Sequence, residues 1–152
     1  MSRSGYTDDN DDPLARGRWR AQVKSAIRGK RGQSFLQELA TAMDAMPVKE
    51  LIANQLIDAE GACCTIGVVC KSRGIDVSKV DPHEPWDVGR AVGIAHQMAQ
   101  EIEYYNDEYG YSFEKVKETN RWERVEETPE QRWHRMRKWV SDRLVKSLEE
   151  PC

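Results

Sequence analysis

The sequence predicts an all-α fold: a compact single-domain bundle of about six helices, with a small-residue helix at its centre. Three observations predict it. Apolar residues recur at helical spacing in several separate stretches, most clearly Val88, Val92, Ala95, Met98, Ala99, Ile102 and Tyr105. Glycines and prolines fall between those stretches rather than inside them. Ala62 to Cys70 is rich in small residues (Ala62, Cys63, Cys64, Thr65, Gly67, Cys70), as expected of a buried helix that lets neighbouring backbones come close.

Residues 1–13 hold Gly5, Pro13 and the carboxylates Asp8, Asp9, Asp11 and Asp12, without apolar periodicity. They read as a flexible acidic tail, leaving 14–150 as one helical domain. Trp19, Val23 and Ile27 are spaced by four and give a narrow stripe along a first helix. Gly29 and Gly32 then predict a break. A second helix is expected from Gln33 or Ser34, with Phe35, Leu36, Leu39, Ala42, Met43 and Met46 inward and Pro47 beyond its end. Leu51 to Ile57 fits a short helix, with a strand as the alternative. Gly61 precedes the small-residue helix and Gly74 ends it. Pro85 suits the first turn of a helix that runs on through Tyr105, closed by Asn106, Asp107 and Gly110. Ser112 opens a shorter helix using Phe113, Val116 and Trp122. Thr128-Pro129-Glu130-Gln131 has the spacing of a capping box, and Trp133, Met136, Val140, Leu144 and Leu148 face inward after it.

Mean hydropathy of -0.77 and a pI near 5.7 point to a water-soluble protein, and the cysteine usage to a cytoplasmic one. No stretch approaches the roughly 20 apolar residues of a membrane span, and no secretion signal is expected. Cys63, Cys64, Cys70 and Cys152 read as reduced thiols, with Cys152 exposed. With His83, His96 and His134 they could ligate zinc, but Cys63 and Cys70 on one helix would lie about 10 Å apart, too far for one ion. No second cysteine pair exists, so no metal or other cofactor is expected. Nothing fixes a cysteine beside His83 or His96 as a nucleophile–base pair requires. The carboxylates Glu101, Glu103, Asp107, Glu108, Glu123, Glu126, Glu127 and Glu130 read as a solvated face, and no phosphate loop or dinucleotide fingerprint occurs. No catalytic residue is assigned.

The charge pattern is the chief functional signal. Four aspartates give way to seven cations (Arg16, Arg18, Arg20, Lys24, Arg28, Lys30, Arg31) with no acid between Asp12 and Arg31, in a chain of net charge -3. Such a run makes a local field that draws phosphates, acidic proteins or the chain's own acidic surface. A second basic surface is offered by Arg132, Arg135, Lys138, Arg143 and Lys146. Tyr104, Tyr105, Tyr109 and Tyr111 cluster in sequence and suit either a contact surface or the rim of a core. Arg16, Arg18, Trp19, Arg20, Lys24, Arg28, Tyr105 and Tyr109 are therefore the candidate partner-binding residues. A protein partner is favoured, nucleic acid is the alternative, and a cysteine or carboxylate enzyme is the third reading. The surplus of aromatic residues leaves a homodimer open.

Glu60-Gly61-Ala62-Cys63-Cys64-Thr65-Ile66-Gly67, followed by Tyr105-Asn106-Asp107, resembles uncharacterised small helical proteins carried by phages and prophages. Those proteins pair a Cys-x-x-Gly helix with a downstream Asn-Asp helix end, matched here by Cys64 to Gly67 and by Asn106-Asp107. The resemblance covers roughly residues 34–140, leaves the basic run outside it, and supplies no catalytic residues. It implies a non-enzymatic accessory or regulatory role, acting on a host macromolecule in the host cytoplasm.

Overall fold

Asp12 and Pro13 start the first helix. The Asp12 carboxylate accepts from the Leu14 amide at 3.0 Å, and Pro13 occupies the first helical position, where its missing N–H costs nothing. The computed structural model describes residues 3–6 and 12–145. Asp8, Asp9, Asp11, Lys146, Leu148 and Cys152, which figured in the sequence reading, lie outside the described residues.

The first helix, α1, spans Pro13–Arg28 and stops at Gly29. Helix α2 spans Lys30–Asp44 and so begins earlier than the glycine pair suggested. Gly32 lies within its first turn, buried where a Cβ would sit 2.1 Å from the Ala26 carbonyl oxygen. That glycine serves close packing of α2 on the end of α1 rather than a break. Ser34 is consequently interior to α2 and caps nothing.

Leu51 to Ile57 forms neither the expected helix nor a regular strand. Leu51 N–H donates to Pro129, Ile52 N–H to Cys63, and Cys64 N–H to Leu56, with one isolated bridge between Ile57 and Cys63. A run this short cannot nucleate a helix alone, and its backbone groups find tertiary partners instead. Helix α3, Thr65–Arg73, follows with Cys64 as its N-cap and Gly74 (φ 69°) as its left-handed C-cap. Every residue from Cys63 to Cys70 is buried. A single 3₁₀ turn, Val77–Lys79, interrupts the connector.

The long helix expected from Pro85 to Tyr105 is two helices, α4 (Pro85–Val92) and α5 (His96–Glu108). Gly93 at φ 80° breaks it, and the Gly89 carbonyl accepts from both Gly93 and Ile94. Most of the apolar face survives the break: Val88, Val92, Met98, Ala99 and Ile102 are buried, Ala95 and Tyr105 are half-buried, and Ile94 joins them. Residues 111–126 form no helix, and the all-α expectation is corrected there. Strands β1 (Tyr111–Val116) and β2 (Arg121–Glu126) pair antiparallel, joined by a turn with Asn120 at φ 54°. The fold is thus mostly helical, with one small two-stranded sheet.

Helix α6, Pro129–Arg143, begins with the capping box read from the sequence. Thr128 Oγ1 accepts from the Gln131 amide at 3.1 Å, and Gln131 Oε1 accepts from the Thr128 amide at 2.9 Å. Leu36, Leu39 and Met43 of α2 meet Ile66 and Val69 of α3, Val88 of α4, Met98 and Ile102 of α5, and Met136 and Val140 of α6 in one buried cluster. Helix α1 joins that cluster through Val23 and Ile27 and packs against α2 and α5. No helix among the described residues is long and apolar enough to cross a membrane.

Candidate functional site

An open groove of about 1390 Å³ runs between α1, α5 and the end of α6. One wall is the inward side of α1: Arg16, Trp19, Arg20, Lys24, Arg28. The facing wall is α5 with the Tyr104, Tyr105 and Tyr109 rings, and Arg143 to Val145 close one end. Helical spacing explains the first wall. Positions 16, 20, 24 and 28 recur every four residues, so their side chains form one ridge beside the Trp19–Val23–Ile27 stripe that α1 buries. Of the eight residues proposed from sequence, seven line the groove. Arg18 does not; it sits on α1 outside this lining.

Aromatic rings form a connected chain that enters the groove at Trp19 from Trp86 and His96 outside its lining. Trp86 stacks on His96 at 3.7 Å, His96 faces Trp19 at 6.1 Å, and Trp19 meets Tyr6 edge-on at 5.9 Å. Tyr6 then contacts Tyr104 at 5.0 Å, and Tyr105 lies 4.6 Å from Tyr109. Trp19 Nε1–H donates to the Tyr6 hydroxyl at 2.8 Å, and that hydroxyl donates to Glu101. Burial, then the Glu101 carboxylate, pushes the Tyr6 phenol above its ordinary value, so it stays a donor.

The charge of the groove is one-sided. Its two acids are engaged: Glu101 with Tyr6, and Asp142 with Lys138 at 2.8 Å. Among the described residues, Arg16, Arg20, Lys24 and Arg28 make no ion pair and no side-chain hydrogen bond. Arg143 lies over the Trp139 ring at 4.1 Å and the Tyr105 ring at 5.2 Å. The second basic surface read from α6 behaves differently. Arg132 and Arg135 are turned inward onto Glu127 and onto backbone carbonyls, so they brace the fold.

A buried polar node beside the groove was not foreseen. Arg3, expected in a flexible tail, is buried and grips Asp107 with two bonds of 2.6 and 3.0 Å. Residues 3–6 are thus packed on the body, against the tail reading, because a buried carboxylate needs a cation and Arg3 supplies it. Burial alone would push the Arg3 guanidinium down, but the paired Asp107 carboxylate outweighs it and holds it charged. Asn106 joins the node, accepting from the Thr65 amide (3.0 Å) and hydroxyl (2.7 Å) while donating to Ile52 (3.0 Å) and Asp107 (2.7 Å).

Glu103, expected on a solvated face, is 0% exposed, and its carboxyl oxygens find no hydrogen-bond partner among the described residues. Burial pushes its acid up to about 8 against the counter-pull of Arg3. The folded chain therefore holds a proton that the unfolded chain gives up near 4.5. Stability should fall as pH rises from about 4.5 towards about 8, by at most ~1.4 kcal/mol per unit, and level off above that. Glu103→Gln should flatten this dependence in urea denaturation curves; a variant that keeps the wild-type slope would contradict the assignment.

The thiols are poorly placed for nucleophilic work. Cys63, Cys64 and Cys70 are all buried. Burial pushes the Cys63 thiol up and that of Cys70 up to about 12, away from the reactive thiolate. The Cys64 sulfur instead accepts from the Gly67 amide at 3.4 Å as the α3 cap. No trio of His, Cys, Asp or Glu among the described residues is gathered to hold a metal ion. No family model matches the chain, and no curated protein or solved structure shows significant similarity to it.

Proposed function

We propose that the protein is a non-enzymatic accessory or regulatory binding protein, of the phage-borne kind its Cys-x-x-Gly and Asn-Asp segments resemble. Its groove receives an acidic segment of a host protein in the host cytoplasm. One observation carries this reading: Arg16, Arg20, Lys24 and Arg28 stand in a row along an aromatic-lined groove with no carboxylate partner among the described residues. Leaving four cations uncompensated side by side costs self-repulsion, and an acidic ligand removes that cost. At about 1390 Å³ the groove exceeds the roughly 300–1,000 Å³ of small-molecule sites, which suits a stretch of polypeptide. The rings that line it, Tyr6, Trp19, Tyr104, Tyr105 and Tyr109, supply amphipathic anchors of the type that dominate protein interfaces.

A titration of the full chain with a Glu-rich peptide containing Phe and Leu, followed by tryptophan fluorescence, tests the proposal. Arg16→Glu/Arg20→Glu/Lys24→Glu should weaken binding by about a hundredfold or more, taking roughly 1 kcal/mol or more per reversed rim charge. Single-stranded oligonucleotide binding with a steep salt slope, in place of peptide binding, would overturn it in favour of a nucleic-acid regulator.

A further inference from the structure

The β1–β2 ribbon stands apart from the helices. Its strands pair with each other, and neither makes more than marginal contact with any helix. Its base alone is anchored: Glu127 N–H donates to the Gly110 carbonyl at 3.1 Å, and Arg135 and Arg132 hold the Glu127 carboxylate. The register sets Tyr111, Phe113, Lys115, Trp122, Arg124 and Glu126 on one face. Its three rings are 45%, 58% and 67% exposed for Tyr111, Phe113 and Trp122. On the other face Glu114 lies directly opposite Glu123, a like-charge pair that weakens the ribbon. A two-stranded ribbon unsupported on both faces is marginal in water. The aromatic face is the apolar surface on which a further contact would stabilise it.

We propose that this face is a self-association surface and that its occupant is a second copy of the chain, packed ribbon on ribbon about a two-fold axis parallel to the strands. The pattern is self-complementary. Each row of the face holds one ring and one charged side chain: Tyr111 beside Glu126, Phe113 beside Arg124, Trp122 beside Lys115. That two-fold lays β1 of one copy over β2 of the other. Phe113 then meets Arg124 of the second copy, Trp122 meets its Lys115, and the Tyr111 hydroxyl meets its Glu126. Arg124 already reaches over the Tyr111 ring of its own chain at 4.2 Å, so the stem has the length such a contact needs.

Two observations favour a second copy over an acidic protein or a nucleic acid. The ribbon and its turn carry four cations (Lys115, Lys117, Arg121, Arg124) and four acids (Glu114, Glu118, Glu123, Glu126), so two copies meet without net repulsion. Tyr111 and Phe113 already meet edge to face at 86°, which leaves no pair of parallel ring faces for stacked bases. The exposed ring area comes to roughly 350 Å² per copy, below the ~800 Å² per partner of a standard interface, so the dimer is weak and concentration-dependent. This surface shares no residue with the groove, and the two proposals stand or fall separately.

Sedimentation of the full chain from low micromolar to near-millimolar concentration tests it. The mean mass should climb from 17.5 kDa towards twice that value. Phe113→Lys/Trp122→Lys should raise the dissociation constant at least about tenfold while helical circular dichroism stays unchanged. Arg124→Ser, which keeps the three rings but removes the cover over Tyr111 and the pair with Glu126, should weaken association in the same direction. A wild-type chain that stays monomeric throughout overturns the proposal. So does a double variant that associates as readily as wild type, which would assign the dimer to another surface.

Discussion

Asn106→Ala should cost the fold about 3–5 kcal/mol, the largest loss expected of any single polar substitution in this chain. Asn106 is buried and its amide group is spent on four bonds at once. Alanine would strand the buried Thr65 amide and hydroxyl and release the half-buried Ile52 carbonyl, and each stranded buried group costs ~1–3 kcal/mol. It would also take a donor from Asp107, whose carboxylate holds both Arg3 and the Asn54 amide. The effect should read as a lower denaturant midpoint with an unchanged m-value. A loss under about 1 kcal/mol would mean that the node is wetter and looser than described. Loss of function after Asp107→Asn would for the same reason be evidence of a weakened fold before it was evidence of catalysis.

Gly67→Ala should destabilise by about 3 kcal/mol or more, against the local trend. Within a helix alanine is favoured over glycine by ~1 kcal/mol. Here an added Cβ would lie 1.9 Å from the Leu56 carbonyl oxygen and 2.8 Å from its carbon, both backbone atoms. The Leu56 carbonyl also accepts from the Cys64 amide at 3.0 Å, so moving it aside would loosen the start of α3. For a domain of this size the loss should appear as a fall in Tm of roughly 6–12 °C. Gly17→Ala on exposed α1, with nothing within 4 Å of the new methyl, is the matched control and should stabilise slightly. Equal effects from the two substitutions would refute the close approach of α3 to residue 56.

Local signals carried much of the helical plan because they depend on neighbours in sequence. The Thr128–Gln131 box, the Gly74 cap and the ridge of cations on α1 are all set by spacings of three or four residues. What stayed illegible depends on distant partners. Phe113, Val116 and the region to Trp122 mimic a helical period, while the turn at Asn120 lacks the Asn-Gly signature that marks most tight hairpins. Gly93 looks like any interior glycine until Ile94 is seen to fold back onto Gly89. Arg3 pairs across 104 positions with Asp107, and no pattern in a short acidic segment announces that. Glu103 was legible in principle. It falls four residues after Ala99 and three before Asn106, on the inward face of α5. Its charge argued for solvent, and burial with protonation won instead.

The groove was half legible. Sequence placed the α1 cations and the tyrosines among the contact residues, and the fold brings them to facing walls. The floor is not legible, because Tyr6 reaches it from the acidic N-terminal segment, where no apolar period marks a packed residue.

The most direct test follows the backbone amides and the Trp19 indole N–H by heteronuclear NMR while the acidic Phe- and Leu-containing peptide is added. Shifts confined to α1, Trp19 and the Tyr104–Tyr109 stretch, abolished by reversing Arg16, Arg20 and Lys24, are the expected result. Saturation with no change along that groove, or an unchanged response in the reversed variant, would contradict the account.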